Sequence, residues 1–199
     1  MGCILSFTFL VSSVNRVFAT STPDVPKISG QVSSNTATLN FYSTKKGAVY
    51  EVSMSISNTS SYKVVYLGTL TSTTIKALTV GTPIFIKVRA FISVNSKKFY
   101  SSFASLSLTP TFLATSLKGM SSKGTNTLSW AKVTGATSYE VHVASSYSGL
   151  YRIVSSINTT TFSSKVGVKT KLYYKVRPYT TVNTTKVYGP FSNIVYLAS

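Results

Sequence analysis

Apolar and polar positions alternate with a period of two through much of the chain. Ile84, Ile86 and Val88 alternate with Phe85, Lys87 and Arg89. Leu172, Tyr174 and Val176 alternate with Tyr173, Lys175 and Arg177, and Tyr139, Val141 and Val143 alternate with Glu140 and His142. In a pleated strand this period puts one set on each face, here apolar inward and polar or basic outward. Turn signals separate the runs at Lys45-Lys46-Gly47, Val80-Gly81-Thr82-Pro83, Thr134-Gly135, Ser148-Gly149 and Gly189-Pro190, and no stretch has helical spacing. Short strands with turns about every 8–12 residues predict an all-β chain of the sandwich type.

The pattern is duplicated. Leu39-Asn40-Phe41 matches Leu128-Ser129-Trp130, Tyr50-Glu51-Val52 matches Tyr139-Glu140-Val141, and Tyr62-Lys63-Val64-Val65 matches Tyr151-Arg152-Ile153-Val154, all at an offset of 89. Lys87-Val88-Arg89 matches Lys175-Val176-Arg177 at an offset of 88; Ser93-Val94-Asn95 matches Thr181-Val182-Asn183, and Tyr100 and Phe103 match Tyr188 and Phe191. Self-similarity at a fixed period marks repeated structural units. Two copies are expected, at 27–110 and 111–199, joined near Leu108-Thr109-Pro110-Thr111 and lying end to end with limited swing. Phe41, Trp130, Tyr50 and Tyr139 are read as core.

Trp130, the run Gly135-Ala136-Thr137-Ser138-Tyr139-Glu140-Val141, the run Tyr173-Tyr174-Lys175-Val176-Arg177-Pro178-Tyr179 and the run Val187-Tyr188-Gly189-Pro190-Phe191-Ser192-Asn193 resemble the fibronectin type III-like repeats of bacterial surface and secreted proteins. The resemblance covers nearly all of the second copy. In the first, Leu78-Thr79-Val80-Gly81-Thr82 and Lys87-Val88-Arg89-Ala90 carry it, and Phe41 stands where Trp is usual. It implies two tandem immunoglobulin-like sandwiches of seven strands each, without disulfides, serving as spacers or binding modules. One position departs from the pattern: the Tyr that ties down the corner before strand F is replaced by Ile84 in one copy and Leu172 in the other. Neither has a hydroxyl, so the usual corner bond is not expected.

The amino terminus has a different texture. Cys3 to Val14 form an apolar run of signal-peptide length ending in Val17-Phe18-Ala19, a small-residue pattern suited to cleavage after Ala19. Residues 1–19 are therefore read as a secretory signal and 20–26 as a leader. The run is too short and too hydroxylated to span a bilayer, which needs about 20 apolar residues. Met1-Gly2-Cys3-Ile4-Leu5-Ser6 also fits a permissive myristoylation pattern. With Cys3 the only cysteine, no intramolecular disulfide is possible and stability must come from the core.

Charge narrows the function. Twenty Lys and Arg oppose three Asp and Glu, for a net charge of +17. The first copy carries nine basic residues against Glu51 and the second ten against Glu140, with no basic arm. Such a field attracts polyanions and also keeps a β-rich chain soluble. Its even spread argues against dedicated nucleic-acid binding, which favours a clustered stripe. His142, the only imidazole, sits at an outward strand position; no nucleophile–base pair, facing carboxylates, metal-ligand cluster or phosphate loop is evident. An enzyme is not expected, nor a cofactor, a metal or a small-molecule substrate. The outward Glu140 is expected opposite Lys175 or Arg177, and Glu51 opposite Lys87 or Arg89, as exposed cross-strand pairs contributing about 0.2–1 kcal/mol each.

The candidate binding surface is the basic and aromatic outer face: Phe85, Lys87 and Arg89 in the first copy, and Tyr173, Lys175, Arg177 and Tyr179 in the second. Aromatic–basic interleaving binds glycans or single-stranded nucleic acid by stacking. Exposed Tyr also suits strands and covers neighbouring Lys stems without any ligand. The sequence thus describes a secreted or cell-surface, non-enzymatic tandem β-sandwich, a binding or spacer module that contacts anionic polymers or glycans, and other surface proteins. A virion or phage decoration protein and a nucleic-acid-binding protein are the rival readings.

Overall fold

The structure, a computed structural model, describes residues 22–199. The proposed cleavage site after Ala19 and the Met1–Ser6 pattern lie outside the described residues.

Sixteen strands form four antiparallel sheets, with no helix among the described residues. The first eight are β1 (Lys27–Ser33), β2 (Thr36–Tyr42), β3 (Val49–Ser55), β4 (Lys63–Gly68), β5 (Ser72–Ile75), β6 (Ile84–Val94), β7 (Lys97–Tyr100) and β8 (Ala104–Leu108). The small sheet runs β1-β2-β5; the large one runs β4-β3-β6-β7, with β8 also on β6. The second eight are β9 (Leu117–Ser122), β10 (Thr125–Trp130), β11 (Ser138–Ala144), β12 (Arg152–Ile157), β13 (Thr161–Lys165), β14 (Lys171–Val182), β15 (Thr185–Tyr188) and β16 (Val195–Ala198). They repeat the arrangement as β9-β10-β13 and β12-β11-β14-β15, with β16 on β14. The period-two alternation creates this architecture, because each sheet has one apolar face to bury against its partner.

Two cores result. Phe41, Leu39, Tyr50, Val52, Ile84, Ile86 and Val88 fill the first. Leu128, Trp130, Tyr139, Val141, Tyr174, Val176 and Leu197 fill the second. The aromatic pairs correspond: Phe41 meets Tyr50 at 5.1 Å between ring centroids and Trp130 meets Tyr139 at 5.4 Å. Each tyrosine hydroxyl then accepts a loop amide, Ser43 N–H at 2.9 Å and Val133 N–H at 2.8 Å.

Local chemistry is duplicated as well. The hairpins β6–β7 and β14–β15 turn through Asn95-Ser96 and Asn183-Thr184, all four at positive φ. That conformation matches the twist of a two-residue hairpin. The corner lacking its tyrosine is filled by buried Ile84 in one repeat and half-buried Leu172 in the other. Two residues further on, the buried Tyr174 hydroxyl accepts a bond from Asn126 Nδ2 at 3.2 Å across the second core.

The join between repeats is packed. Val80, from the turn between β5 and β6, is only 3% exposed and belongs to the second core beside Phe112 and Val133, with Val187 against the same cluster. Gly81 N–H donates to the Pro110 carbonyl and Ser34 N–H to that of Thr111, both at 2.9 Å. Glycine is required at position 81: φ is +79° and a Cβ would stand 2.7 Å from Val187 Cγ2. The corresponding turn of repeat 2 meets solvent, with Val168 exposed.

Val80→Asp would place an unpaired carboxylate in this joint. The two repeats should uncouple while each stays folded. Residual dipolar couplings check this, fitting a single alignment tensor in the native chain and two in the variant.

Candidate functional site

The outer faces of the two large sheets carry the candidate residues. Antiparallel pairing of β3 with β6 sets Glu51 opposite Arg89, and pairing of β11 with β14 sets Glu140 opposite Arg177. In repeat 1, Arg89 grips Glu51 in a fork, Nε to Oε1 and Nη2 to Oε2, both 3.0 Å. Its guanidinium lies over Tyr100 (4.0 Å to the ring centroid) and Phe103 (4.8 Å), while the Lys87 ammonium lies over Tyr62 (4.2 Å). In repeat 2, Arg177 lies over Tyr188 (3.8 Å) and Phe191 (5.0 Å), and Lys175 over Tyr151 and Phe191 (4.1 Å each). Cations and rings therefore alternate up each sheet, a stack in which each close contact contributes about 0.5–2 kcal/mol.

The two ion pairs differ in kind. Glu51 is partly exposed. Glu140 is only 1% exposed and His142 7%, so the expectation of outward, solvated positions for both is corrected. Both do point to the outer face, but Arg177, Lys186, Tyr188 and Phe191 cover them. Glu140 Oε2 accepts from Arg177 Nε (3.0 Å) and Nη2 (2.8 Å), and Oε1 from the Tyr188 hydroxyl (2.9 Å) and Lys186 Nζ (3.4 Å). His142 Nε2 lies 3.3 Å from Glu140 Oε2, and its ring stands edge-on to Phe191 at 4.9 Å. In repeat 1 the matching position is Ser53, and Lys98 turns to Phe91 at 4.7 Å instead.

Protonation follows this packing. Burial pushes the Glu140 carboxyl upward, but the bonds from Arg177, Tyr188 and His142 outweigh it and hold it below the usual carboxylate range. Burial lowers the His142 imidazole; its bond to Glu140 opposes this, and the charges of Arg177 and Lys175 add to the lowering. The third acid, Asp24, is held at about 2 by the Ser43 hydroxyl and the Thr44 amide.

The seven candidate residues are thus only partly gathered. Lys87 with Arg89, and Lys175 with Arg177 and Tyr179, belong to the two stacks, with Lys186 lying 4.5 Å over Tyr179. Phe85 lines a shallow depression of about 250 Å³ with Asn58, Tyr62, Lys87 and Ser107. Tyr173 turns to Tyr196, 5.1 Å away. The rings that complete the stacks, Tyr62, Tyr100, Phe103, Tyr151, Tyr188 and Phe191, come from neighbouring strands and loops. The duplication had marked all six as recurring positions, but not as partners of the cations. Both arginines are spent on carboxylates and rings, so little of either is available to a ligand.

Exposed lysines gather elsewhere. Pairing of Thr125 with Lys165, and the bond from Val166 N–H to the Gly124 carbonyl (2.8 Å), bring the turn after β9 against the end of β13. Exposed Lys123, Lys165, Lys169 and Lys171 share this end of repeat 2. Among the described residues no three His, Cys, Asp or Glu lie close enough to hold a metal, and no helix is long and apolar enough to cross a membrane.

No family model and no curated protein matches the sequence. Solved structures do match the fold. A two-domain fibronectin type III segment of chicken tenascin aligns with a TM-score of 0.58 at 14% identity, over 88% of this chain and 97% of that one. The chicken interferon gamma receptor alpha chain aligns with a TM-score of 0.60 at 12% identity, over 89% of this chain and 98% of that one. The chain therefore has the fold of two tandem fibronectin type III-like sandwiches.

Removing the buried carboxylate should cost more than removing its partly exposed counterpart. Glu140→Gln removes the acceptor of Arg177 and Lys186, which stay partly exposed, and should destabilise repeat 2 by about 2–3 kcal/mol. Glu51→Gln should cost repeat 1 about 1 kcal/mol. Urea unfolding of each variant checks the difference.

Acid should destabilise repeat 2 in two stages. His142 has a folded pKa below its unfolded value of about 6.5, so the unfolded chain binds the extra proton and stability falls as pH drops below that value. Glu140 is depressed too, so its contribution, present above about 4.5, is lost on further acidification. His142→Phe should flatten the first stage and leave the second, measured as melting temperature against pH.

Proposed function

We propose that the chain is an exported, non-enzymatic module of the bacterial surface or secreted type that binds an anionic polymer or acidic glycan by charge. The observation that carries this reading is the charge balance. All three acids are engaged within the fold, Asp24 with Ser43 and Thr44, Glu51 with Arg89 and Glu140 with Arg177. A formal net charge of +17 is left over once the three acids are counted. Lys123, Lys165, Lys169 and Lys171 are the preferred contact, because they are exposed, whereas Lys87, Arg89, Lys175 and Arg177 are half-buried in the stacks. The stacked cations hold the sheet face in shape.

Binding to polyphosphate and to a teichoic-acid-type polymer should weaken linearly in log affinity against log salt. Replacing the four lysines with Ala should lower polymer affinity about tenfold at 0.1 M salt and flatten that slope by about 3, whereas Lys87→Ala should change either little. Isothermal titration over a salt series measures both. No binding at low salt would leave only a spacer role, and a clear preference for DNA at equal charge would favour nucleic acid.

A further inference from the structure

One repeated motif has no part in the polymer site. Tyr62-Lys63-Val64-Val65 and Tyr151-Arg152-Ile153-Val154 occupy the same place in the two repeats, at the start of β4 and β12. Their tyrosines stack under Lys87 and Lys175. The three residues that follow face solvent in both copies: Val64 is 58% exposed and Ile153 53%, with Val65 and Val154 also exposed beside Lys63 and Arg152.

β4 and β12 are the outer edges of their sheets, and each is interrupted by a bulge at the same position. Val52 pairs with Tyr66 and Ser53 with Val64, so Val65 is the extra residue. Val141 pairs with Ser155 and His142 with Ile153, so Val154 is the extra residue. A bulge disrupts the ladder and re-aims side chains, which blocks addition of a further strand. The motif thus keeps two consecutive aliphatic side chains and a cation on an edge closed to strand pairing. In repeat 1 exposed Ile56, Leu67 and Leu70 extend the apolar surface, and Met54, Ile56, Lys63 and Val65 line a hollow of about 460 Å³. In repeat 2 Leu150, 95% exposed, and Tyr147 extend it.

Aliphatic side chains flanked by cations suit an anionic bilayer, the cation meeting headgroup phosphate and the aliphatics the upper acyl boundary. A second copy of this chain is a poor occupant, since it brings another +17. We infer that the β4 and β12 edges are lipid-contact sites for an anionic membrane surface, one in each repeat. This stands apart from the polymer reading, because it needs the aliphatics as well as the charge.

The test is flotation of the full chain with phosphatidylcholine vesicles and with vesicles containing phosphatidylglycerol at about 3 parts in 10. Binding is expected only to the anionic vesicles, with a residue of binding that survives salt sufficient to release polyphosphate. Val64→Ser combined with Ile153→Ser changes no charge and replaces exposed side chains. It should lower vesicle affinity about tenfold and leave polyphosphate affinity unchanged. Three results would overturn the inference: no binding to anionic vesicles, equal binding to both vesicle types, or binding indifferent to the double substitution. Loss of polyphosphate binding alone would count against the polymer reading and not against this one.

Discussion

A carboxylate taken out of water has to be matched by donors, and the outer face of the second repeat is organised around meeting that need for Glu140. Arg177, Lys186, Tyr188 and His142 all converge on its two oxygens. Convergence brings three strands, β11, β14 and β15, into one register. It also lays the arginine flat against Tyr188 and Phe191, so the rings shield the ion pair that holds the arginine. β11 is thereby buried on both faces, although its alternation resembles that of a half-exposed strand. Repeat 1 runs the lighter version: Glu51 and Arg89 keep the fork and the rings, but Ser53 stands where His142 does and solvent reaches the carboxylate.

This arrangement changes the meaning of the positive charge. Lys87, Arg89, Lys175 and Arg177 are half-buried, because stacking and ion pairing consume their faces. Lys123, Lys165, Lys169 and Lys171 sit on turns and strand ends, where their side chains are exposed. A surface of this kind binds by field and count, which suits an irregular polyanion better than a shaped ligand. The edges add a second character, since a bulge that forbids strand pairing leaves aliphatic side chains facing outward together with a cation.

Duplication shows where tertiary environment takes over from local rules. Hairpin turns, bulges, core aromatics and the stacked cations recur because each depends on residues within one sandwich. The turn between β5 and β6 and the turn between β13 and β14 begin from the same fold position and end differently. Val80 and Gly81 nest in the neighbouring repeat, while Val168 and Lys169 face solvent. Glycine at 81 answers the closeness of Val187, and no such neighbour constrains Lys169 among the described residues.

Much of the architecture was legible in the chain itself. Period-two alternation, turn residues and an offset of 88–89 sufficed for strands and for two sandwiches, because these rest on which face of a strand is apolar. The seven strands expected in each are eight, because the last strand of each repeat is split in two, β7 and β8 along β6 and β15 and β16 along β14. The same register reasoning placed Glu51 opposite Lys87 or Arg89 and Glu140 opposite Lys175 or Arg177, and the fold selects the arginine in each repeat. Burial was not legible. Whether an outward residue is wet depends on what folds over it, and Phe191 and Tyr188 reach Glu140 and His142 from about 50 residues away in sequence. The identity of the rings over each cation, the packing of Val80 into the second repeat and the gathering of Lys123 with Lys165, Lys169 and Lys171 belong to the same class. Alternation along one strand carries the sign of a face, and only the packed neighbours decide how much water is left on it.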